Sequence, residues 1–451
     1  VKGNKKQMIR MLANFFTRLV KRFLPNAFLF AIILTFVVFV LGILIEGKTA
    51  VEMLKCWGEN YWGLLTFAMQ MALVLSTGHT LAKTDFVARI LEKLAKLAKT
   101  PKHAIVIVTV SASVACWINW GFGLIVGALI AREMARRVKG VHYPLLVASA
   151  YSGYMLWHSG LSGSIPLTIA QEPKGVMANI AGGIMIPISQ TTFAWQTVTI
   201  MLVLFFTLPI LNCLMMPKEG EKIVEFEEEE PPETDNSEAK DTNEPMTFAE
   251  KIENSTLITA LLGLMGVSYI IIYFYSGGKI QLNTVNFIFL FAGLILHKTP
   301  IAFLRAFHEA IKSTAGIILQ FPLYAGIMGM IIHSGLATTI SEAFVKVSTT
   351  TTFPFFTFLS SGLVNFFVPS GGGHWVVQGP IIMPAAQEIG TPLWKAAMSI
   401  AWGDAWSNMV QPFWTVPLLS IAGLSVRDIM GYCTVVLLWG LLVIGLGLVF
   451  L

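Results

Sequence analysis

The sequence predicts an all-α polytopic membrane protein made of two inverted-topology repeats, each with a re-entrant helical hairpin and a broken transmembrane helix. Three observations carry this. Of the 451 residues, 55% are hydrophobic and only 13% are charged, whereas soluble domains carry roughly 25% charged residues. Apolar runs recur that are long enough to cross a bilayer, about 20 residues for each helix. The motifs of the first half return in the same order in the second.

Charge orients the chain. The net charge is +5, and half of the 26 acids lie between positions 219 and 250. The remainder is therefore basic, which in a membrane protein places Lys and Arg on cytoplasmic loops and does not imply nucleic-acid binding. Residues 1–22 hold seven cations and no acid, with Met8, Met11, Leu12, Phe15, Phe16, Leu19 and Val20 at helical spacing. That pattern reads as an amphipathic helix on the cytoplasmic surface. A cleaved signal peptide fits less well, because no small-residue cleavage site follows the apolar run 27–45.

The first repeat is expected over 23–216. Its first span, 26–45, leaves the cytoplasm; its second, 61–82, returns to a segment holding Lys83, Arg89, Lys93, Lys96, Lys99 and Lys102. The apolar stretch 104–131 is bounded by Lys102 on one side and by Arg132, Arg136, Arg137 and Lys139 on the other, so both ends face the cytoplasm. Its centre is Asn119-Trp120-Gly121-Phe122-Gly123. Such a segment reads as a re-entrant hairpin, since non-helical backbone at membrane depth is tolerated only against protein or water. The next span, 143–170, contains Trp157-His158-Ser159-Gly160 and continues through Ser162 to Pro166, a composition that breaks a helix. The span 193–215 leads back inside. The acidic linker 217–253 has no hydrophobic period and is expected to be disordered and cytoplasmic.

An inter-repeat helix, 254–278, inverts the second repeat, 279–451. Spans are expected at 283–296 and 316–332, a hairpin at 353–384, a broken helix at 396–419 and a last span at 429–451, giving about nine spans plus two hairpins at the usual span length. Gln70 is matched by Gln320, Asn119 by Asn365, and the break at 157–166 by the stretch from Asp404 through Ser407 and Asn408 to Pro412. Inverted repeats with paired discontinuous helices are the pattern of secondary transporters, with the substrate near the midplane.

Asp404 is the one acid well inside an apolar span, and an ionisable group there is a functional candidate by default. Backbone satisfaction of a structural acid is the plainer alternative. The turn Ser370-Gly371-Gly372-Gly373 exposes backbone N–H groups, and neither hairpin tip carries a cation. A small monoanion held by amide dipoles fits this better than a highly charged substrate. His158 and His374 lie at a break and a tip, where each is able to bond a carboxylate or titrate. Trp117, Trp120, Trp157, Trp375, Trp402, Trp406 and Trp414 fall around the same motifs, as an apolar pocket or as core. Cys56, Cys116, Cys213 and Cys433 share no metal-ligand spacing and read as packing residues.

The substrate-binding candidates are therefore Asn119, Trp120, Gly121, Gly123, His158, Ser159, Ser162, Asn365, Ser370, Gly371, Gly372, Gly373, His374 and Trp375. The cation-coupling candidates are Asp404, Ser407, Asn408, Asn119 and Asn365. No catalytic residue and no cofactor are expected; Na+ or H+ is the coupling ion, with Na+ at the hairpin tips the one metal considered. No serine-hydrolase, zincin or Walker motif is present, which leaves an enzyme reading built on His158 or His374 without a positive feature. A cation/proton antiporter using Asp404 alone is the nearer alternative.

Three blocks carry a resemblance: Ser113 to Leu124, Asn365 to Pro380 with its Pro369-Ser370-Gly371-Gly372-Gly373-His374-Trp375 core, and Val426 to Cys433. With these the chain resembles the bacterial short-chain fatty acid transporter family, grouped with the ion transporter superfamily. The resemblance covers nearly the whole chain except the linker. It implies a scaffold part and a transport part, a likeness to cation-coupled symporters, a homodimer through the scaffold, elevator-like movement, and uptake of butyrate, acetoacetate and similar monocarboxylates at a bacterial cytoplasmic membrane. Charge places the N-terminus in the cytoplasm and the C-terminus in the periplasm. Sodium symporters of that superfamily carry Ser-Asn-Thr motifs at tips and breaks. Here Ser407-Asn408 keeps part of one, while the first half departs with Trp157-His158-Ser159-Gly160.

Overall fold

The computed structural model describes residues 2–23, 25–170, 185–218, 220–227, 247–278, 282–369 and 371–451. Within them the regular structure is helical throughout, with no strand. Five helices are long and apolar enough to cross a bilayer: Pro101–Ile118, Trp195–Leu214, Thr256–Tyr275, Ala315–Ser334 and Val426–Phe450. Ala50–Asn60 and Leu65–Ala82 form a pair bent by 44° that passes the same test together. Ser370 and most of the acidic linker, 228–246, lie outside the described residues.

The first hairpin turns on a single residue. Pro101–Ile118 ends and Trp120–Arg137 begins at Asn119, whose extended backbone (φ −152°, ψ 123°) breaks the helix. Its side chain accepts from the Phe122 N–H at 3.0 Å, so one residue closes one helix and caps the next. The arms run antiparallel, because Gly123 lies on Cys116 while Gly127 lies on Ala112. A Cβ on Gly127 would stand 3.2 Å from that of Ala112, which shows how small residues let the backbones approach. The second hairpin pairs Phe353–Phe367 with Gly371–Ile389. It is also antiparallel: Ser361 meets His374, Ser360 meets Gln378, and Thr350 reaches the Ile389 carbonyl.

Each hairpin lies against a broken helix. In the first half, Tyr143–Ser152 tightens into the 3-10 turn Gly153–Ser159, and the chain re-forms a helix at Ser164–Ile169. In the second, Leu393–Ser407 passes through Asn408–Val410 into Pro412–Ala422. Proline near the start of the second piece costs no helical hydrogen bond there, whereas deeper in a helix it removes one. The first arm of each hairpin runs parallel to its broken helix. Trp117 donates to the Ser159 carbonyl and the Trp120 N–H to Ser162, pairs 42 residues apart. Ser361 donates to Ile400 and Asn365 to Asp404, pairs 39 residues apart.

The two broken helices pack antiparallel to each other. Tyr143 donates to the Ala422 carbonyl at 2.7 Å, Tyr151 to that of Asn408 at 2.6 Å, and His158 lies 2.9 Å from that of Ala401. As one residue number rises the other falls, and the breaks come to lie side by side. Trp195–Leu214, Val426–Phe450 and Lys2–Phe23 pack around this body. Ala27–Leu44, Ala50–Asn60, Leu65–Ala82, Leu282–His297, Pro300–Ile311 and Ala315–Ser334 form a second set that packs mainly within itself. Lys83 and Glu309 pair within that set. Residues 223–226 lie along the loop after the first hairpin, with Val224 bonded to His142 and Tyr143, and the Phe226 ring under Arg132 and Arg136.

At Gly403 the second hairpin and its broken helix approach closely: an added Cβ would stand 2.6 Å from the Ser361 Cβ and also meet the Phe358 carbonyl. Backbone cannot swing aside as a side-chain tip does, so overpacking here costs about 1–3 kcal/mol. Gly403→Ala is expected to lower the unfolding temperature of the purified protein in detergent. Gly372→Ala, whose Cβ meets nothing within 4 Å, is expected to leave it unchanged. Equal melting of both variants and wild type would contradict the packing described.

Candidate functional site

The breaks and the second hairpin tip enclose Asp404, which is fully buried. A carboxylate so placed is costly unless its lone pairs are met. Oδ1 accepts from the Asn408 amide at 3.1 Å, and Oδ2 lies 3.0 Å from Nδ1 of His374. His158 Nδ1 is 3.6 Å from Oδ1, too far for a hydrogen bond, and donates instead to the Ala401 carbonyl. His374 and His158, at 3.0 and 3.6 Å, are the basic side chains nearest the carboxylate among the described residues, and both are wholly buried.

Asn365 ties the hairpin to the break. Its amide nitrogen lies 3.0 Å from the Asp404 carbonyl, 2.9 Å from Ser407 Oγ and 2.6 Å from Asn408 Oδ1. The structure therefore brings together His158, Asn365, His374, Asp404, Ser407 and Asn408. Asn119 is the counterpart of Asn365 in motif order but does a different job, capping its own helix. The Trp120 and Phe122 amides at that first tip are committed to Ser162 and Asn119. Gly121 and Gly123 are buried inside the hairpin, and the Ser159 hydroxyl returns to the Leu156 carbonyl. Gln70 and Gln320 take no part: Gln70 bonds Asn283, and Gln320 sits on a helix of the second set.

The second tip differs. Gly371–Ile389 begins directly after position 370, and the amides of its first two residues, Gly371 and Gly372, have no partner within the helix. Gly371 packs on the His158 ring, where a Cβ would stand 2.8 Å from Nε2. Gly372 borders open space, and Trp375 is buried just behind. Beside this tip lies an aromatic cluster. His158 stacks on Trp157 at 3.6 Å, Trp157 on Tyr154 at 5.7 Å, and Trp414 lies 5.3 Å from Trp120 and 5.6 Å from Tyr154. Phe67, Phe321 and Phe413 extend it toward the other set of helices.

In this cluster His158 Nε2, Trp157 Nε1, Trp414 Nε1 and the Tyr154 hydroxyl are buried without a protein partner, as is Asn365 Oδ1. Buried polar atoms are almost always paired. Three of these orphans, the two indole N–H groups and the Tyr154 hydroxyl, are donors that suit a small anionic head beside apolar ring faces; His158 Nε2, whose ring partner Nδ1 donates to Ala401, and Asn365 Oδ1 are acceptors. Tyr154 and Gln378 were absent from the sequence-derived candidates. Gln378 stands one helical turn beyond His374, an i,i+4 relation that places both on one face. Tyr154 has no comparable signal in a run of apolar residues.

Residues 8–451 match the family model described as short chain fatty acid transporter. A protein of Escherichia coli strain K12, named as a candidate short-chain fatty acid transporter, is 47% identical over 442 residues, covering 98% of this chain and 99% of its own length. One from Haemophilus influenzae with the same name is 45% identical over 452 residues, covering 98% and 100%. Two solved structures show a distant likeness at 14% identity. The Alcanivorax borkumensis YdaH transporter has a TM-score of 0.44 over 94% of this chain and 97% of its own. Neisseria gonorrhoeae MtrF, of a class of antimetabolite efflux pumps, has 0.40 over 96% and 97%. The chain is a transporter-family protein and not an enzyme, and it belongs to the short chain fatty acid transporter family.

Proposed function

We propose that this protein takes up short-chain fatty acids, butyrate and acetoacetate among them, across a bacterial cytoplasmic membrane by cation-coupled secondary transport. The observation that carries the reading is the patch of unpartnered buried polar atoms beside the second hairpin tip. The carboxylate sits against the amides at Gly371 and Gly372 and toward the orphaned donors, with the acyl chain on Trp157, Trp120 and Trp414. This departs from a symmetric cradle of two tips, because the first tip spends its amides internally. A helix N-terminus in partly buried geometry contributes up to roughly 2 kcal/mol. Hydrogen bonds to a charged group add about 1.5–3 kcal/mol each, enough for millimolar to micromolar affinity. Desolvation favours a monoanion over a dianion.

The same reading takes the two halves as inverted repeats with re-entrant hairpins, about nine spans in all at the usual span length, the N-terminus in the cytoplasm and the C-terminus in the periplasm. The antiparallel broken helices and the matched parallel packing of hairpin on broken helix support it. The separate packing of the two helix sets supports a transport part moving against a scaffold, an elevator, and the family likeness supports a homodimer through that scaffold.

Purified protein in proteoliposomes is expected to show saturable counterflow of labelled butyrate above protein-free vesicles; its absence would end the fatty-acid reading. Gly372→Val is expected to weaken butyrate binding at least tenfold with little change in melting temperature, since its added bulk enters open space beside the amides. Unchanged binding would remove the tip from the site. For topology, cysteines at Lys102 and Arg136, both exposed at the open end of the first hairpin, are expected to react only from the cytoplasm. Labelling from opposite sides would make this segment an ordinary span.

A further inference from the structure

The hydrogen-bond partners around His374 constrain where its protons sit. Ser341 donates its hydroxyl proton to the Ala337 carbonyl at 2.8 Å, and Ser360 donates to Thr357 at 3.0 Å. Both oxygens therefore act as acceptors toward Gln378, whose amide nitrogen lies 2.8 Å from Ser341 Oγ and 3.4 Å from Ser360 Oγ. This turns the Gln378 carbonyl oxygen to His374 Nε2 at 2.7 Å. The other neighbour of Nε2, Ser361 Oγ at 3.2 Å, gives its proton to the Ile400 carbonyl at 2.7 Å. Nε2 faces acceptors only, so it carries a hydrogen. On the opposite side Nδ1 meets the Asp404 carboxyl at 3.0 Å, a contact that also needs a hydrogen between its atoms. Together, His374 and Asp404 hold two protons, which makes the pair neutral.

We propose that Asp404 and His374 are the proton-carrying pair of this carrier, loaded together with a monocarboxylate and emptied before the return step, with Gln378 turning its amide to follow the proton. The proposal rests on the fatty-acid reading and names its coupling ion as H+. Loading adds one H+ to the Nε2 lone pair of His374 and breaks no covalent bond. Unloading returns it to water, after which the Gln378 side chain rotates so that its amide nitrogen donates to the bare Nε2. A pair that has lost its proton bears one negative charge and repels an incoming carboxylate; the loaded pair does not. The loaded complex (neutral pair plus monoanion) and the empty carrier (charged pair) then carry equal charge, so transport is electroneutral and follows the pH gradient, not the membrane voltage. The other titratable groups facing the pair are His158 and Tyr154, from the turn Gly153–Ser159. Phe353–Phe367 presents hydroxyls and the Asn365 amide.

The test is butyrate binding to purified protein in detergent, from pH 6 to 9, with choline or sodium as the only cation, together with proton uptake read by a pH indicator. Avoiding vesicles removes the passive flux of butyric acid. In wild type we expect Kd to rise about tenfold per pH unit on the alkaline side, with close to one H+ taken up per butyrate, as for one linked proton, and no dependence on sodium. Asp404→Asn is expected to abolish both the pH slope of butyrate binding and the proton uptake, whatever affinity it retains. Gln378→Met removes the group that meets Nε2 in both protonation states without touching Asp404, and is expected to displace the onset of the slope from that of wild type while proton uptake with butyrate persists. Should Asp404→Asn fail to fold, the wild-type slope and the Gln378→Met shift still decide. Binding that is flat in pH and strengthened by sodium would overturn the proton assignment and leave the fatty-acid reading standing. Absence of both binding and counterflow in wild type would overturn that reading and this proposal with it.

Discussion

A single buried carboxylate sets the terms for the rest of the structure. Asp404 has no access to water, and removing an ion from water costs several kcal/mol unless fixed dipoles replace the lost hydration. The fold supplies them from two directions, Asn408 from the same broken helix and His374 from the second hairpin tip, while the Asn365 amide holds the Asp404 backbone carbonyl. Each donor arrives on a different segment, so the hairpin, the break and the helix entering it must all be in register for the acid to be tolerated. The close approach at Gly403 has the same cause, because a larger residue would push the hairpin away from the carboxylate it covers.

Much of this was legible in the sequence, and the reasons are physical. Asp404 stood out because hydrocarbon makes an unpaired acid expensive, so its presence alone marks a site. The hairpin tips and breaks were visible through Asn119, the 371–373 glycines, Pro166 and Pro412, residue types that end helices whatever their tertiary surroundings. Helices at Ala50–Asn60 and Leu336–Lys346 went unassigned. Both have 11 residues, too short to register as spans, and their signals, a capping box at Thr49 and the left-handed Gly335 before the second, are local. Pairings across the fold were the least legible. That Asn365 reaches into the break while Asn119 caps its own helix follows from three-dimensional placement, which motif order does not encode. The same holds for Gln378 and Tyr154, ordinary residues until His374 and Trp157 are set beside them.

The difference between the two halves bears on what the site can accept. The first break contributes His158, Trp157 and Tyr154; the second contributes Asp404, Ser407 and Asn408. Between the antiparallel broken helices this gives one side rich in ring faces and one side rich in hydrogen-bonding groups. The monocarboxylate proposed above would lay its few methylene groups on the ring faces and meet the Gly371 and Gly372 amides and the indole and Tyr154 donors with its carboxylate, away from the acid. Exclusion works as well as attraction, since there is one carboxylate at the centre and no Lys or Arg within ion-pairing distance of it among the described residues. A dianion would face an acid without a balancing cation.

The scarcity of fixed charge also bears on movement. A carrier whose site moves through a bilayer meets an electrostatic cost for every net charge it exposes to hydrocarbon. A fixed Arg or Lys at the tip would bind a carboxylate more tightly, but the empty carrier would then move with that cation unpaired. In the site proposed above, helix-end amides, indole N–H groups and the Tyr154 hydroxyl would meet an anion as dipoles and leave no net charge when it departs. Asp404 is the exception, and its neighbours hold its negative charge beside an imidazole that is itself able to take up a proton. Under the proton-coupled proposal the loaded and the empty carrier each bear one negative charge, so the two moving forms meet the same electrostatic cost and neither is favoured by charge alone.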